Sequence, residues 1–292
     1  ERIRQCAEDL GYRPSLAGRA LRSGQTGILG LVMPDLTNPL FPRIAQHLSL
    51  AADDRKLGIL IADSRGNPEE QDQAIDRLLD RGVDGLLIVP QKGTTPGQQR
   101  VPTVIINTAS DPDNTVSADH AGGGKLIAEH IASLGHRMVV VFGEDPVSEV
   151  QRDRIDGMRA GFQNTNGIQE LWGEDGIAQL IPAIRNGATA VMTTSDLWAL
   201  RVHSHLTRVG FNVPNDISLT GFDDLPFATA MHPMLTTAAQ DVKTIAELAI
   251  DRLTHAINRA DVPERGVTVP MRLVARNSTA FQREITNLEV SQ

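Results

Sequence analysis

Several polar residues that could do chemistry stand at the ends of apolar runs. Asn107 closes "PTVIIN", Ser195 and Asp196 follow "ATAVMTT", and Asp223 closes "DISLTGF". Such runs read as strands, and ligands of open α/β sheets bind just beyond strand carboxyl ends. These groups suit a small molecule that presents hydroxyls, a carboxylate or a phosphate. Aromatic residues make up only 3% of the chain, so stacking platforms are few, with Phe41 and Trp172 the candidates.

Signatures of catalysis fail one after another. "DHAGGGKL" contains a Gly-Lys pair, but Asp119 stands where a phosphate loop needs glycine and Leu126 where it needs Ser or Thr. It reads instead as a glycine-rich helix start. No G-x-S-x-G elbow occurs. His203 and His205 are two apart and point different ways on a helix, while His130 and His136 straddle a helix end. All four read as surface or packing residues. Asp53–Asp54 and Asp223–Asp224 are neighbours in sequence, which does not set two carboxylates across a substrate. The expectation is a binding protein, not an enzyme, with no cofactor and no metal.

The elements that must position these residues alternate. Apolar runs appear at "ILGLVM", "LGILIAD", "DGLLIVP", "PTVIIN", "RMVVVFG", "ATAVMTT" and "DISLTGF". Between most of them lie segments of helical spacing: "FPRIAQHLSLAADDRK", "PEEQDQAIDRLLDRG", "GGGKLIAEHIASLG", "QRDRIDGMRAGFQN" and "SDLWALRVHSHLTRVG". Continuous apolar runs imply strands covered on both faces, and the alternation implies right-handed βαβ units around parallel sheets. In "NPEEQD", Asn67 is placed to cap a helix with Pro68 at its first position and acids in its first turn. The number of elements calls for two lobes. A late helix, "DVKTIAELAIDRLTHAIN", and a late apolar stretch, "GVTVPMRLVARNSTAF", follow the main alternation, and periodicity does not assign them to either lobe. "PQKGTTPGQQR" and "NTNGIQELWGEDG" read as irregular loops.

At 292 residues the chain has room for two ordinary domains, and its apolar content of 40% is that of a soluble globular protein. No apolar run approaches the roughly 20 residues that span a bilayer. "ERIRQCAEDLGYRP" lacks the apolar core of a signal peptide, and the single cysteine, Cys6, rules out an intrachain disulfide. These features favour the cytoplasm. Net charge is −8, yet residues 1–24 carry five arginines against three acids. A basic end on an acidic body suggests an arm that meets an anionic partner.

The opening, "ERIRQCAEDLGYRPSLAGRALRSGQTGILGLVMPDLTNPLF", resembles the LacI/GalR family of bacterial transcriptional regulators. In that family a third headpiece helix ends in "LGY-x-P-N", a hinge helix "A-R-x-L-R" follows, and the first core strand ends in "PD-x-x-NPFF". The resemblance continues in order along nearly the whole chain. It runs through "GVDGLLIVP", "VSADHAGGGKLIAEHIASLGHRMVVVFG", "RDRIDGMRAGF", "TTSDLWAL", "VPNDISLTGFDDLPFATAMHPMLTTAAQD" and "VPMRLVARNST". Any one of these matches is weak, whereas the ordered series is highly specific.

The resemblance implies an α/β fold of two Rossmann-like lobes with parallel sheets, periplasmic-binding-protein-like of type I, joined by three crossovers. It sets residues 1–13 as the last headpiece helix and 14–25 as the hinge. Residues 26–118 with 240–266 form the N-terminal lobe, and 119–239 with 267–292 the C-terminal lobe. A small effector, most commonly a sugar in this family, binds between the lobes and changes the dimer's hinge and operator affinity. The implied effector residues are Phe41, Asn107, Arg154, Ser195, Asp196, Asp223 and Gln240, with Arg154 and Asp223 facing each other across the cleft. Asp196 has a second reading as a helix cap. In the hinge, Leu21 matches the leucine that wedges between base steps in the minor groove, while Arg19 and Arg22 meet phosphates. The expected partners are operator DNA, a sugar-like effector and a second copy of the chain, joined through the helices beginning near Phe41 and Pro68.

Departures from the family pattern touch the ligand. Gly18 replaces the usual hinge alanine, which costs a helix about 1 kcal/mol. Ser195 stands for Asn, Asn107 for Asp, and the segment after Phe162 is short, with no clear strand before "AVMTT". The competing reading is a transporter's solute-binding protein, which would share the two-lobe fold. The hinge and headpiece residues argue against it.

Overall fold

In the computed structural model, residues 24–162, 165–259 and 265–282 are described. Each apolar run named above forms a strand. The first sheet has order β2-β1-β3-β4, built from β1 (Ile28–Met33), β2 (Gly58–Asp63), β3 (Gly85–Ile88) and β4 (Thr103–Ile105). All its pairings are parallel. Helices α1 (Leu40–Asp53) and α2 (Pro68–Asp80) are its crossovers. The Asn67 side chain caps α2 by accepting from the Glu69 N–H at 2.9 Å, with Pro68 in the first turn. Leu78 and Ile75 of α2 pack with Val32, Leu86 and Ile88 in the core beneath. The loop into β1 is pinned by Asp84, whose carboxylate accepts the N–H groups of Thr26 and Gly27 at 2.8 and 2.7 Å.

The second sheet has order β12-β10-β9-β8-β6-β7. It comprises β6 (Val139–Gly143), β7 (Ile168–Trp172), β8 (Ala190–Thr193), β9 (Ser218–Asp223), β10 (Thr236–Ala239) and β12 (Arg272–Val274). Only β12 runs antiparallel, against β10. The helices of this unit are α3 (His120–Ser133), α4 (Glu149–Gly161), α5 (Gly173–Arg185) and α6 (Asp196–Arg208). A small third sheet pairs β5 (Val116–Ala118) with β11 (Val267–Val269). Phe142, Leu180, Val191, Trp198 and Leu219 form the core of the face covered by α5 and α6.

The region after α4 departs most from the sequence reading. The stretch read as a loop, "NTNGIQELWGEDG", contains β7, which pairs in register with β6 from Ile168 opposite Val139 to Trp172 opposite Gly143. It is an edge strand in which Leu171 alone is buried, so it shows no continuous apolar run. Helix α5 follows directly, with Pro182 inside it breaking the usual helical signature.

Two compact units divide the chain, one ending at Ile106 and resuming at Ala246, the other running Asn107–Ile245 and resuming at Arg265. The late helix α7 (Val242–Arg259) therefore lies mostly in the first unit, and β12 joins the second unit's sheet. The first division falls earlier than the expected 118/119. Side chains explain this: Thr108 donates to Asp153 of α4, and the Asn107 amide donates to Asp111 and Glu149. The expected headpiece helix, and the hinge residues Arg19, Leu21 and Arg22, lie outside the described residues.

Candidate functional site

The carboxyl ends of β6, β8, β9 and β10 lie together in the second unit's parallel sheet, and a buried arginine sits over them. Arg154 comes from α4, which is drawn against α3 by glycines. A Cβ on Gly124 would lie 2.1 Å from the Arg154 carbonyl oxygen, and one on Gly157 would lie 1.9 Å from that of Ala121. The glycine run of "DHAGGGKL" thus serves helix-to-helix approach, and Asp119 caps α3 by accepting from the Gly122 N–H at 2.8 Å.

The Arg154 guanidinium is held on several sides. Its Nη2 lies 2.9 Å from Asp223 Oδ1, with both side chains almost fully buried at 4% and 3% exposure. Nη1 donates to the Thr194 carbonyl at 2.6 Å and to Asp223 Oδ2 at 3.3 Å. Nε donates to His120 Nδ1 at 3.3 Å, and Cζ lies 4.1 Å from the Phe222 ring centre. The Gln240 amide donates to Asp223 Oδ1 at 2.5 Å. Asp223 and Asp224 both take positive φ, at 102° and 50°. Such backbone costs a non-glycine residue about 1–3 kcal/mol and collects at functional sites. The two carboxylates diverge, Asp224 pairing with Arg276 at 2.5 Å.

Of the sequence candidates, Arg154, Asp223 and Gln240 converge directly. The expectation that Arg154 and Asp223 stand on opposite sides of a cleft is corrected: both belong to the second unit and bind each other there. Asn107 is held beside the end of β4, its backbone N–H donating to the Asn114 side chain at 3.1 Å and its amide to Asp111 at 2.8 Å. Ser195 follows Thr194 and caps α6, its Oγ accepting from the Trp198 N–H at 3.2 Å. Asp196 is fully buried, so it supports the site from below instead of lining it. It accepts from the Leu225 N–H at 2.6 Å and the Thr237 hydroxyl at 2.7 Å. Burial first, then the Asp223 charge, pushes Asp196 up to about 7. Gly221 makes room for this carboxyl, since a Cβ there would lie 2.1 Å from Asp196 Oδ1.

The aromatic candidates are placed differently. Trp172 packs against Gly143, where a Cβ would meet its ring at 2.2 Å, so its ring is engaged within the second unit. Phe41 lies half-buried on α1 of the first unit. His120 escaped sequence reasoning. The available signal was its place in the first turn of a helix, directly after a strand.

Neutral and charged hydrogen-bonding groups around one ion pair suit recognition of hydroxyls. Among the described residues no cluster of His, Cys, Asp or Glu is arranged to hold a metal, and no helix is long and apolar enough to cross a membrane.

Comparison with known proteins agrees with this architecture. Residues 29–199 match the model of a periplasmic binding protein domain, and residues 128–279 that of a periplasmic binding protein-like domain. The HTH-type transcriptional regulator MalR of Streptomyces coelicolor is 30% identical over 93% of this chain and 85% of its own. The ribose operon repressor of Escherichia coli is 26% identical over 95% of this chain and 89% of its own. A LacI family transcriptional regulator from Enterococcus faecium, solved with bound ribose, superposes with a TM-score of 0.76 at 23% identity, covering 88% of this chain and all of that one.

Proposed function

Because the chain belongs to the LacI family of transcriptional regulators, we propose that a neutral sugar or sugar derivative is its effector and that the strand-end site of the second unit recognises it. The observation that carries this reading is the buried Arg154–Asp223 pair with Gln240 on the same carboxylate. A guanidinium beside a carboxylate offers donors and acceptors to adjacent hydroxyls without presenting a net charge. Ser195 and Asn107 extend the same set. Relatives named for ribose and the neighbour solved with ribose support a sugar.

In this reading the protein acts in the cytoplasm as a homodimer of repressor type and carries no catalysis. Effector binding changes the affinity for operator DNA, with symmetry matched to a palindromic site. The first unit supplies the dimer contact. Leu50 of α1 and Ile61 of the edge strand β2, 56% and 49% exposed, are its candidate contact residues.

A thermal-shift screen of sugars, sugar phosphates and nucleobases tests the effector class. A ligand at a hundred times its dissociation constant adds about 2.7 kcal/mol of stability. Stabilisation by neutral sugars supports the reading. Stabilisation by phosphates or nucleobases alone contradicts it.

A further inference from the structure

His120 is a buried titratable group that touches the site but belongs to none of its expected residues. It opens α3, one residue after the Asp119 cap. Its neighbours dictate where its proton sits. Arg154 Nε can only donate, and it lies 3.3 Å from His120 Nδ1, so Nδ1 must present a lone pair. The remaining nitrogen, Nε2, therefore carries the hydrogen. The neutral ring receives from Arg154 at Nδ1 and keeps its own hydrogen on the far side of the ring.

A second proton would undo this arrangement. It would set an N–H of the ring against the Nε–H of Arg154 and place two cations side by side. The charged groups around the ring are Arg154 from α4, Asp223 at the end of β9, already paired with that arginine, and Asp119 before its own helix. Phe222, whose ring centre is 6.2 Å away, offers no acceptor. Burial, then the charge of Arg154, holds the ring well below its ordinary 6.5.

We propose that His120 is a positioning residue: its neutral Nε2–H form, with the Nδ1 lone pair on Arg154 Nε–H, aims the Arg154 guanidinium at the effector. The link to effector affinity rests on the site reading above; the link to Arg154 does not. If protonation releases the guanidinium, one hydrogen bond to a charged group is lost, and effector affinity falls roughly tenfold to a hundredfold.

The test uses the full chain and two variants. In His120→Asn the amide oxygen replaces Nδ1 as the acceptor of Arg154 Nε–H, and nothing titrates. In His120→Leu that acceptor vanishes. Imidazole nitrogen spectra of the free protein are expected to include an Nε2–H signal at neutral pH that is absent from both variants and so belongs to His120. The Arg154 Nε–H signal is expected to be protected from exchange in the parent, to fade as the pH is taken well below about 6.5, to persist through acid in His120→Asn, and to be lost in His120→Leu at all pH values. A doubly protonated or Nδ1–H ring at neutral pH overturns the proposal, as does an Arg154 signal indifferent to His120→Leu. D-ribose titrations should then lose affinity in acid for the parent and not for His120→Asn, and equal losses in both overturn it. Absence of ribose binding at neutral pH counts against that sugar alone, and the Arg154 Nε–H profile still decides the role of His120.

Discussion

Arg154 and Asp223 pair at 2.9 Å inside one unit, with almost no exposure on either side chain. Neither charge has water to fall back on. Removing one partner from a buried pair leaves the other uncompensated, which costs about 3–5 kcal/mol. Arg154→Met and Asp223→Leu should each lower unfolding stability by that order in urea titrations. The double variant should cost clearly less than the sum, because it strands no charge. Additivity within about 0.5 kcal/mol would show that the two act independently.

The glycine seam between α3 and α4 yields a second expectation. Gly124→Ala and Gly157→Ala force a methyl to within 2.1 and 1.9 Å of backbone oxygens, so the helices must separate. Overpacking of this kind costs about 1–3 kcal/mol. It also moves Arg154, so effector affinity should fall together with stability. Gly97→Ala is the control, since nothing lies within 4 Å of a Cβ there. Calorimetric unfolding in which all three variants match the parent would contradict the seam.

Asp196 sets a pH dependence of definite sign. Burial raises it from 3.8 to about 7, so between those values the native state keeps a proton that the unfolded chain has released. Stability from this group is present in acid and is lost as pH rises through 7. His120, His130, His136 and His203 are held low, by burial first, and act oppositely: they cost stability as pH falls below about 6.5. Comparing Asp196→Asn with the parent isolates the carboxyl. The difference should move in favour of Asn from pH 5 to pH 7, by up to about 1.4 kcal/mol per unit, and then level off. A difference that ignores pH would refute the assignment.

For the dimer, Leu50→Arg and Ile61→Arg place charges on the exposed aliphatic residues of the first unit. Sedimentation equilibrium should show a homodimer for the parent at micromolar concentration and a shift toward monomer for the variants. A parent that is monomeric throughout would contradict the proposed assembly.

Much of the fold was legible because parallel strands buried on both faces write themselves as unbroken apolar runs, as at Leu86–Ile88 and Val139–Phe142. Asn67, Pro68 and the acids after them announced a helix start that the structure keeps. Edge strand β7 and the proline-bearing α5 were hidden for the converse reason, since neither carries a clean period. β10, "TTAA", is buried but too weakly apolar to stand out. At the site, Asp223 and Asp196 were visible as strand-end residues. Their roles diverged through burial and hydrogen bonding, which no spacing encodes. His120 was invisible because its meaning depends on Arg154, distant in sequence and brought close by the α3–α4 seam.

The central claim is that the strand-end site around Arg154 and Asp223 recognises a neutral sugar. Isothermal titration of the best sugar from the thermal-shift screen against the parent, Arg154→Ala and Asp223→Asn tests it most directly, once circular dichroism shows that both variants remain folded. The account predicts saturable one-site binding to the parent and a loss of roughly tenfold to a hundredfold in each variant. Unchanged affinity in both folded variants would contradict it and send the search for the effector pocket elsewhere.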